Sequence, residues 1–291
     1  MIPKSFEYYD VSDLQQALEL LGKYGEEAKI LAGGQSLVPI MKLRLATPTV
    51  LIDIKRVSGL SYMRESSQGT LQIGALTTYS QIESSKLVKQ KVPILAETVA
   101  GIGDSQVRNR GTIGGSLAHN DPAADLPPTI LALDAEMVAI GPGGIRRIKT
   151  SDFFVDVFTT ALRPGEILTE VELPNFTPNT GGAFIKLAHV GGDFVIVGVA
   201  AIVRLDSNGN CDEVSIALGG VGSVSFRAKK SEEAIRGKKP SPSVIKEASE
   251  LAKYGITPSS DIHASAEYKI DMATVLTRRA LNEAVKRAGG I

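Results

Sequence analysis

The chain has 291 residues, 43% of them hydrophobic and 22% charged, which excludes a disordered polymer and allows two domains or one large one. Its 32 basic and 32 acidic side chains cancel, so the basic excess of a nucleic-acid binder is missing. The single cysteine, Cys211, excludes an intrachain disulfide and, alone, a thiolate metal site; the three histidines, His119, His189 and His263, are too scattered for a histidine metal site.

In chain order, FEYYDV (6–11) reads as a strand, and Ser12 as the cap of a helix with Gln15 completing a capping box. KILA (29–32) is a buried strand, GGQS (33–36) a turn, LVPIMKLRL (37–45) a helix broken by Pro39, and TVLIDI (49–54) another strand. These alternate as a compact β-α-β-α-β unit. LSYMRES and TLQIGAL then flank a polar turn, and Thr78 with Gln81 predicts a second capping box. Helices are predicted from Val92 to Ile102 and from Ala124 to Leu133, with a hairpin turning at Gly141-Pro142-Gly143-Gly144 and EILTEVELP (166–174) after it. Proline, asparagine, threonine and glycine cluster over residues 173–182, the predicted domain boundary. Beyond it, FVIVGVAAIVRL and EVSIALGGV predict an antiparallel pair around Asp206-Ser207-Asn208-Gly209, and helices follow at 229–236, 242–254 and 266–288.

Two short stretches carry chemistry. AGGQS (32–36) and TIGGS (112–116) are both apolar-Gly-Gly-polar runs that lead into helices. Paired glycines permit positive φ and let a ligand approach backbone amides, whose N–H groups form an anion site. Two such loops suit a pyrophosphate better than a single phosphate. Neither G-x-G-x-x-G after a strand nor G-x-x-x-x-G-K-[ST] is present, which disfavours a Rossmann or P-loop protein. The alternative for each loop is ordinary strand-to-helix punctuation with no ligand.

AGGQS (32–36), QVRNRGTIGGS (106–116) and NDPAADLPP (120–128), with IGALTTYSQIE (73–83), LRPGEILTEVELP (162–174) and GGVGSVSFRA (219–228), resemble the FAD-binding medium subunit of molybdenum hydroxylases. That family includes aerobic carbon monoxide dehydrogenase, aldehyde oxidoreductase and xanthine dehydrogenase. The resemblance spans nearly the whole chain and implies an α+β molecule: a two-part FAD-binding fold of the p-cresol methylhydroxylase type, followed by a small α+β C-terminal domain. The expected division is 1–177 (parts 1–56 and 57–177) and 178–291.

Carried over by position, the resemblance implies that Ala32, Gly33, Gly34, Gln35 and Ser36 form the first pyrophosphate loop, and Thr112, Gly114, Gly115 and Ser116 the second. It implies that Asp125 reaches the ribose or adenine side of FAD, that Ile102 and Leu168 make apolar contacts, and that Lys186 lies near the flavin ring. Phe194 falls where relatives place a side chain close to the isoalloxazine, with a core phenylalanine as the alternative. Many relatives carry arginine where this chain has His189, which is given no role; His119 is read as a loop residue, not a covalent flavin link. Arg108 and Arg110 are read as pairing with surface carboxylates, with offset of phosphate charge as the alternative. Cys211 is placed in a turn.

The resemblance further implies noncovalent FAD, with molybdopterin and iron–sulfur clusters in partner subunits only. Electrons would pass from the small iron–sulfur subunit to FAD here and on to an external acceptor, while a large molybdenum subunit oxidises the substrate. A heterotrimer or a dimer of heterotrimers is expected. No apolar run approaches the roughly 20 residues of a membrane span, and MIPKSFEYYD is not a signal peptide, so a cytoplasmic protein is expected. Two other readings stay open: a free-standing FAD-dependent dehydrogenase of the same fold, and a scaffold subunit that has lost its flavin.

Overall fold

Strands separated by helices pair in parallel, because the chain must cross back over the sheet before the next strand can start. In the computed structural model, which describes residues 2–290, β1 (Glu7–Asp10), α1 (Leu14–Tyr24), β2 (Ala28–Leu31), α2 (Leu37–Lys42) and β3 (Val50–Asp53) build this unit. The sheet is parallel in the order β1-β3-β2. Two local expectations are corrected. Asp13, not Ser12, caps α1, accepting from the Gln15 amide at 3.1 Å, while the Gln15 side chain runs forward to Glu19. An ionised carboxylate is as good a cap as a hydroxyl and also meets the helix dipole. Pro39 does not break α2: it sits in the first turn, where proline is tolerated. The helix ends at Lys42, and Arg44, at φ 58°, turns the chain out of it.

The middle region continues with β4 (Met63–Glu65), β5 (Thr70–Gly74), α3 (Tyr79–Ser84), α4 (Lys86–Lys91), α5 (Pro93–Ala100), α6 (Ser105–Arg108), α7 (Ile113–His119) and α8 (Leu126–Ala132). After them come β6 (Glu136–Gly141), β7 (Gly144–Lys149), α9 (Thr150–Phe153), β8 (Phe154–Asp156), β9 (Thr159–Thr160) and β10 (Ile167–Pro174). Five of these strands form an antiparallel sheet, β4-β5-β10-β6-β7, and β8 pairs separately with β9. The capping box at Thr78 is present in both directions. Leu71, Ile94, Ile113, Leu117 and Met137 fill the core between this sheet and its helices.

The last region holds β11 (Thr180–Leu187), β12 (Val197–Leu205), β13 (Cys211–Gly219), β14 (Phe226–Arg227), α10 (Lys229–Ile235), α11 (Pro242–Glu250) and α12 (Ala266–Arg287). β12 and β13 form the expected antiparallel pair; β11, which the sequence reading did not identify, lies on the other side of β12. Cys211 is not in a turn but opens β13, fully buried. This sheet is covered on both faces, which explains the near-continuous apolar run of β12. Ala200 and Ala217 join the middle core, whereas Val199 and Ile216 pack with Leu276 and Leu281 of α12. Gly181 makes the contact with α12 possible: a methyl group there would lie 2.1 Å from the Ala284 carbonyl oxygen. No helix among the described residues is long and apolar enough to cross a membrane.

Candidate functional site

The AGGQS segment leaves the C-terminal end of β2, the end of a parallel sheet where ligands bind. TIGGS opens α7, with Thr112 as cap accepting from the Gly115 amide at 3.1 Å. Of the paired glycines only Gly34, at φ 73°, has left-handed backbone. Gly114 and Gly115 lie inside the first turn of α7, so the expected glycine turn is a helix start at this loop. Glycine is needed there for space: a methyl group on Gly114 would lie 2.4 Å from the Ala75 Cβ.

The two segments touch. A methyl group on Gly33 would lie 2.1 Å from the Arg110 carbonyl oxygen, and one on Gly115 would come within 3.6 Å of the Ala32 Cβ. The second segment is laced to the β5–α3 connection through an isolated bridge between Thr78 and Thr112 and bonds from Tyr79 N to Gly111 O and Gly114 N to Ala75 O. That gives IGALTTYSQIE a physical role as the backing of the second loop.

The two loops differ in what they offer an anion. The amides of Ile113, Gly114, Gly115 and Ser116 already bond to Thr77 O, Ala75 O, Thr112 Oγ1 and Thr112 O. Among the described residues, the amides of Gly33, Gly34, Gln35 and Ser36 have no partner. The first loop is therefore the N–H donor nest and the second a close-packed wall. Between them lies a cleft of about 140 Å³ lined by Ala32, Gly33, Lys55, Thr78, Arg110 and Thr112, among others.

Arg108 meets the carboxylate expected of it, Glu83, at 2.9 Å. Arg110 does not: exposed at the cleft, it makes no ion pair among the described residues. Lys55, missed in the sequence, projects from just beyond β3 and contacts Asp53 at 2.8 Å and the Tyr8 hydroxyl at 3.2 Å. Its position after a parallel strand was the available clue.

A second cluster sits where β11 meets α8. Lys186 Nζ donates to Gly101 O at 2.8 Å, to Asp125 Oδ2 at 2.9 Å and to Asp193 O at 2.9 Å, which uses all three of its N–H groups. Asp125 is buried at the start of α8, and burial pushes its carboxyl up to about 6 against the pull of Lys186. Its other oxygen, Oδ1, is buried with no hydrogen-bond partner among the described residues. The ion pair brings together two residues that the resemblance placed at separate parts of one cofactor. Beside them, Gly103 N bonds to Gly192 O at 2.8 Å, which joins the Ile102 turn to the segment carrying Asp193 and Phe194.

Phe194 is 58% exposed and so is not the core residue that was its alternative. Ile102 is half-buried against the middle core, and Leu168 is buried in β10 within it. Tyr79, also missed, is buried behind the second loop beside Ser116, and burial pushes its hydroxyl up to about 12. His119 stacks against Phe158 at 4.8 Å, and His189 faces His263 at 5.8 Å.

These residues fit a pyrophosphate-bearing dinucleotide. The cleft is lined by Gly33 of the donor loop and by Arg110, which has no ion pair among the described residues, and Asp125 Oδ1 is left to accept from an N–H or O–H. Comparison with known proteins agrees. Residues 4–176 match the family described as the FAD binding domain in molybdopterin dehydrogenase, and 182–284 the CO dehydrogenase flavoprotein C-terminal domain. The chain is 41% identical to the 6-hydroxypseudooxynicotine dehydrogenase complex subunit alpha of Paenarthrobacter nicotinovorans, covering 99% of this chain and 97% of that one. It is 39% identical to the carbon monoxide dehydrogenase medium chain of Hydrogenophaga pseudoflava, covering 99% of each. A solved structure of carbon monoxide dehydrogenase from Hydrogenophaga pseudoflava superposes with a TM-score of 0.96 at 40% identity, covering 99% of both chains.

Proposed function

The chain belongs to the FAD-binding medium subunits of the molybdopterin dehydrogenases, and from that premise we propose that it relays electrons from an iron–sulfur subunit, through FAD, to an external acceptor. The observation that carries this reading is the junction of the two glycine segments, the first with four amides that have no partner among the described residues and the second preceded by Arg110, which with Gly33 lines the cleft between them. Bound FAD supplies the redox centre, and the protein supplies binding, orientation and electrostatics.

Gly33, Gly34, Gln35 and Ser36 present their amides to the pyrophosphate. Ala32, Thr112, Gly114, Gly115 and Ser116 shape the facing surfaces. Asp125 accepts a hydrogen bond from the cofactor, held in place by Lys186, which itself has no N–H to spare. Ile102, Leu168 and Phe194 form the apolar surroundings of the flavin. Binding is noncovalent. No side chain needs to act as nucleophile or general base, because the organic substrate is oxidised in a large molybdenum subunit and electrons arrive through a small iron–sulfur subunit. The assembly is a heterotrimer or a dimer of heterotrimers, in the cytoplasm. The relatives support this division of labour: those 41%, 39% and 37% identical are named for 6-hydroxypseudooxynicotine, carbon monoxide and glyceraldehyde dehydrogenases, so the likeness follows the flavin role and not one substrate.

Purification of the chain from its native cells, with metal analysis, tests the relay. Iron and molybdenum should co-purify with flavin in fixed ratio. A flavoprotein that purifies alone, free of both metals, and oxidises a substrate unaided would overturn it in favour of a free-standing dehydrogenase.

A further inference from the structure

Resting on the FAD reading above, we propose that the phosphate cleft recognises its ligand by two side-chain cations that the glycine motifs do not include, Arg110 and Lys55, with Arg110 the stronger. A diphosphate ester carries two negative charges. The second loop cannot answer them with backbone donors, since the amides from Ile113 to Ser116 are bonded within the protein. On that wall the charge must come from a side chain, and Arg110 is the cation lining it.

Arg110 is well placed for this. The carbonyl of its own peptide presses on Gly33, so its backbone is fixed against the donor loop. Its amide bonds back to Val107 O at 3.1 Å, which closes the turn after α6. Its neighbour Arg108 is already committed to Glu83, whereas Arg110 has no carboxylate among the described residues. A guanidinium in that state offers paired N–H groups in a fork that matches phosphate oxygens.

Lys55 is the weaker partner because its charge is already engaged. Asp53, buried at the end of β3, holds it at 2.8 Å, and the Tyr8 hydroxyl lies 3.2 Å away. Asp53 cancels much of its charge in the apo chain, and only one N–H remains to meet a ligand. Tyr8 and Asp53 thus orient Lys55 without themselves reaching the cleft lining.

The test is FAD titration of the apo full chain, followed by flavin fluorescence, at low and high salt. R110Q should weaken FAD binding roughly tenfold, the scale of one lost charge-assisted bond at a partly exposed site. R110K, which keeps the charge but loses the fork, should recover only part of the affinity, K55Q should lose less than R110Q, and both losses should shrink as salt screens the charges. Melting of each apo variant beside wild type separates a folding defect from a binding one, and R110K carries the comparison if R110Q melts early. Equal FAD affinity in wild type and R110Q, or R110K as weak as R110Q, would overturn the proposal while leaving the FAD reading intact. Wild-type chain that takes up no FAD would remove both.

Discussion

Lys186 Nζ lies 2.9 Å from Asp125 Oδ2, an ion pair buried where β11 meets the start of α8, with Lys186 also bonded to the Gly101 and Asp193 carbonyls. One ammonium thus ties three segments around the proposed flavin locality. Lys186→Met should cost about 3–5 kcal/mol, because it leaves a buried carboxylate and two carbonyls unpartnered. Urea unfolding of the FAD-free chain measures it. A loss below 1 kcal/mol would mean that the pair does not hold these segments together.

The same carboxyl sets a pH dependence. Its pKa rises from 3.8 in the open chain to about 6 when folded, with burial as the main cause. An acid with the higher pKa in the folded state binds more protons there, so its contribution is greatest below about pH 4, falls through the window to pH 6, and is flat above it. Between pH 4 and 7 the group should remove on the order of 2–3 kcal/mol from the stability of the apo chain. Asp125→Asn should flatten that part of the profile; an unchanged slope would place the titration elsewhere.

Glycines at the loops should divide by contact. Gly33→Ala drives a methyl group onto the Arg110 carbonyl, whose backbone cannot yield like a side chain, and should cost about 1–3 kcal/mol and most of the FAD affinity. Gly22 lies in the last turn of α1 with nothing within 4 Å of an added Cβ. Gly22→Ala should instead stabilise the chain by about 0.5–1 kcal/mol without changing FAD uptake. Thermal melting and FAD titration of both variants check the contrast.

Two arginines bridge the last region to the middle one, and burial decides their worth. Arg227 joins Asp134, at 2.7 Å, to the buried Glu232, and also reaches the Leu131 carbonyl. Arg287 meets Glu97, which is about as open to solvent as Arg287 itself. Arg227→Met should cost about 3 kcal/mol by leaving buried Glu232 with only the Ile216 amide and the more distant Arg236, whereas Glu97→Gln should stay within about 1 kcal/mol. Chemical denaturation of the pair of variants tests the ranking, and equal losses would contradict it.

The fold was legible where pattern and cap agree. The alternation of the first unit, the capping box at Thr78 and the β12–β13 pair follow from residue spacing alone. β11 escaped because Thr180-Gly181-Gly182 opens it and reads as loop; those glycines are there for α12 and Phe176 to approach, which no local pattern encodes. At the site, the sequence motif identified both loops, but not their inequality. Which amides are free depends on the partners that Ala75 and Thr77 supply to the second loop, and those lie far away in the chain. Arg110 and Arg108 look alike in sequence, and only the position of Glu83 separates them.

Titration of the FAD-free full chain with FAD, with the absorbance spectrum recorded before and after acid precipitation, tests whether this chain holds FAD noncovalently. Uptake should saturate near one FAD per chain, and the flavin spectrum should leave with the acid supernatant. A colourless protein that takes up no added FAD, or flavin that stays with the precipitated chain, would contradict it.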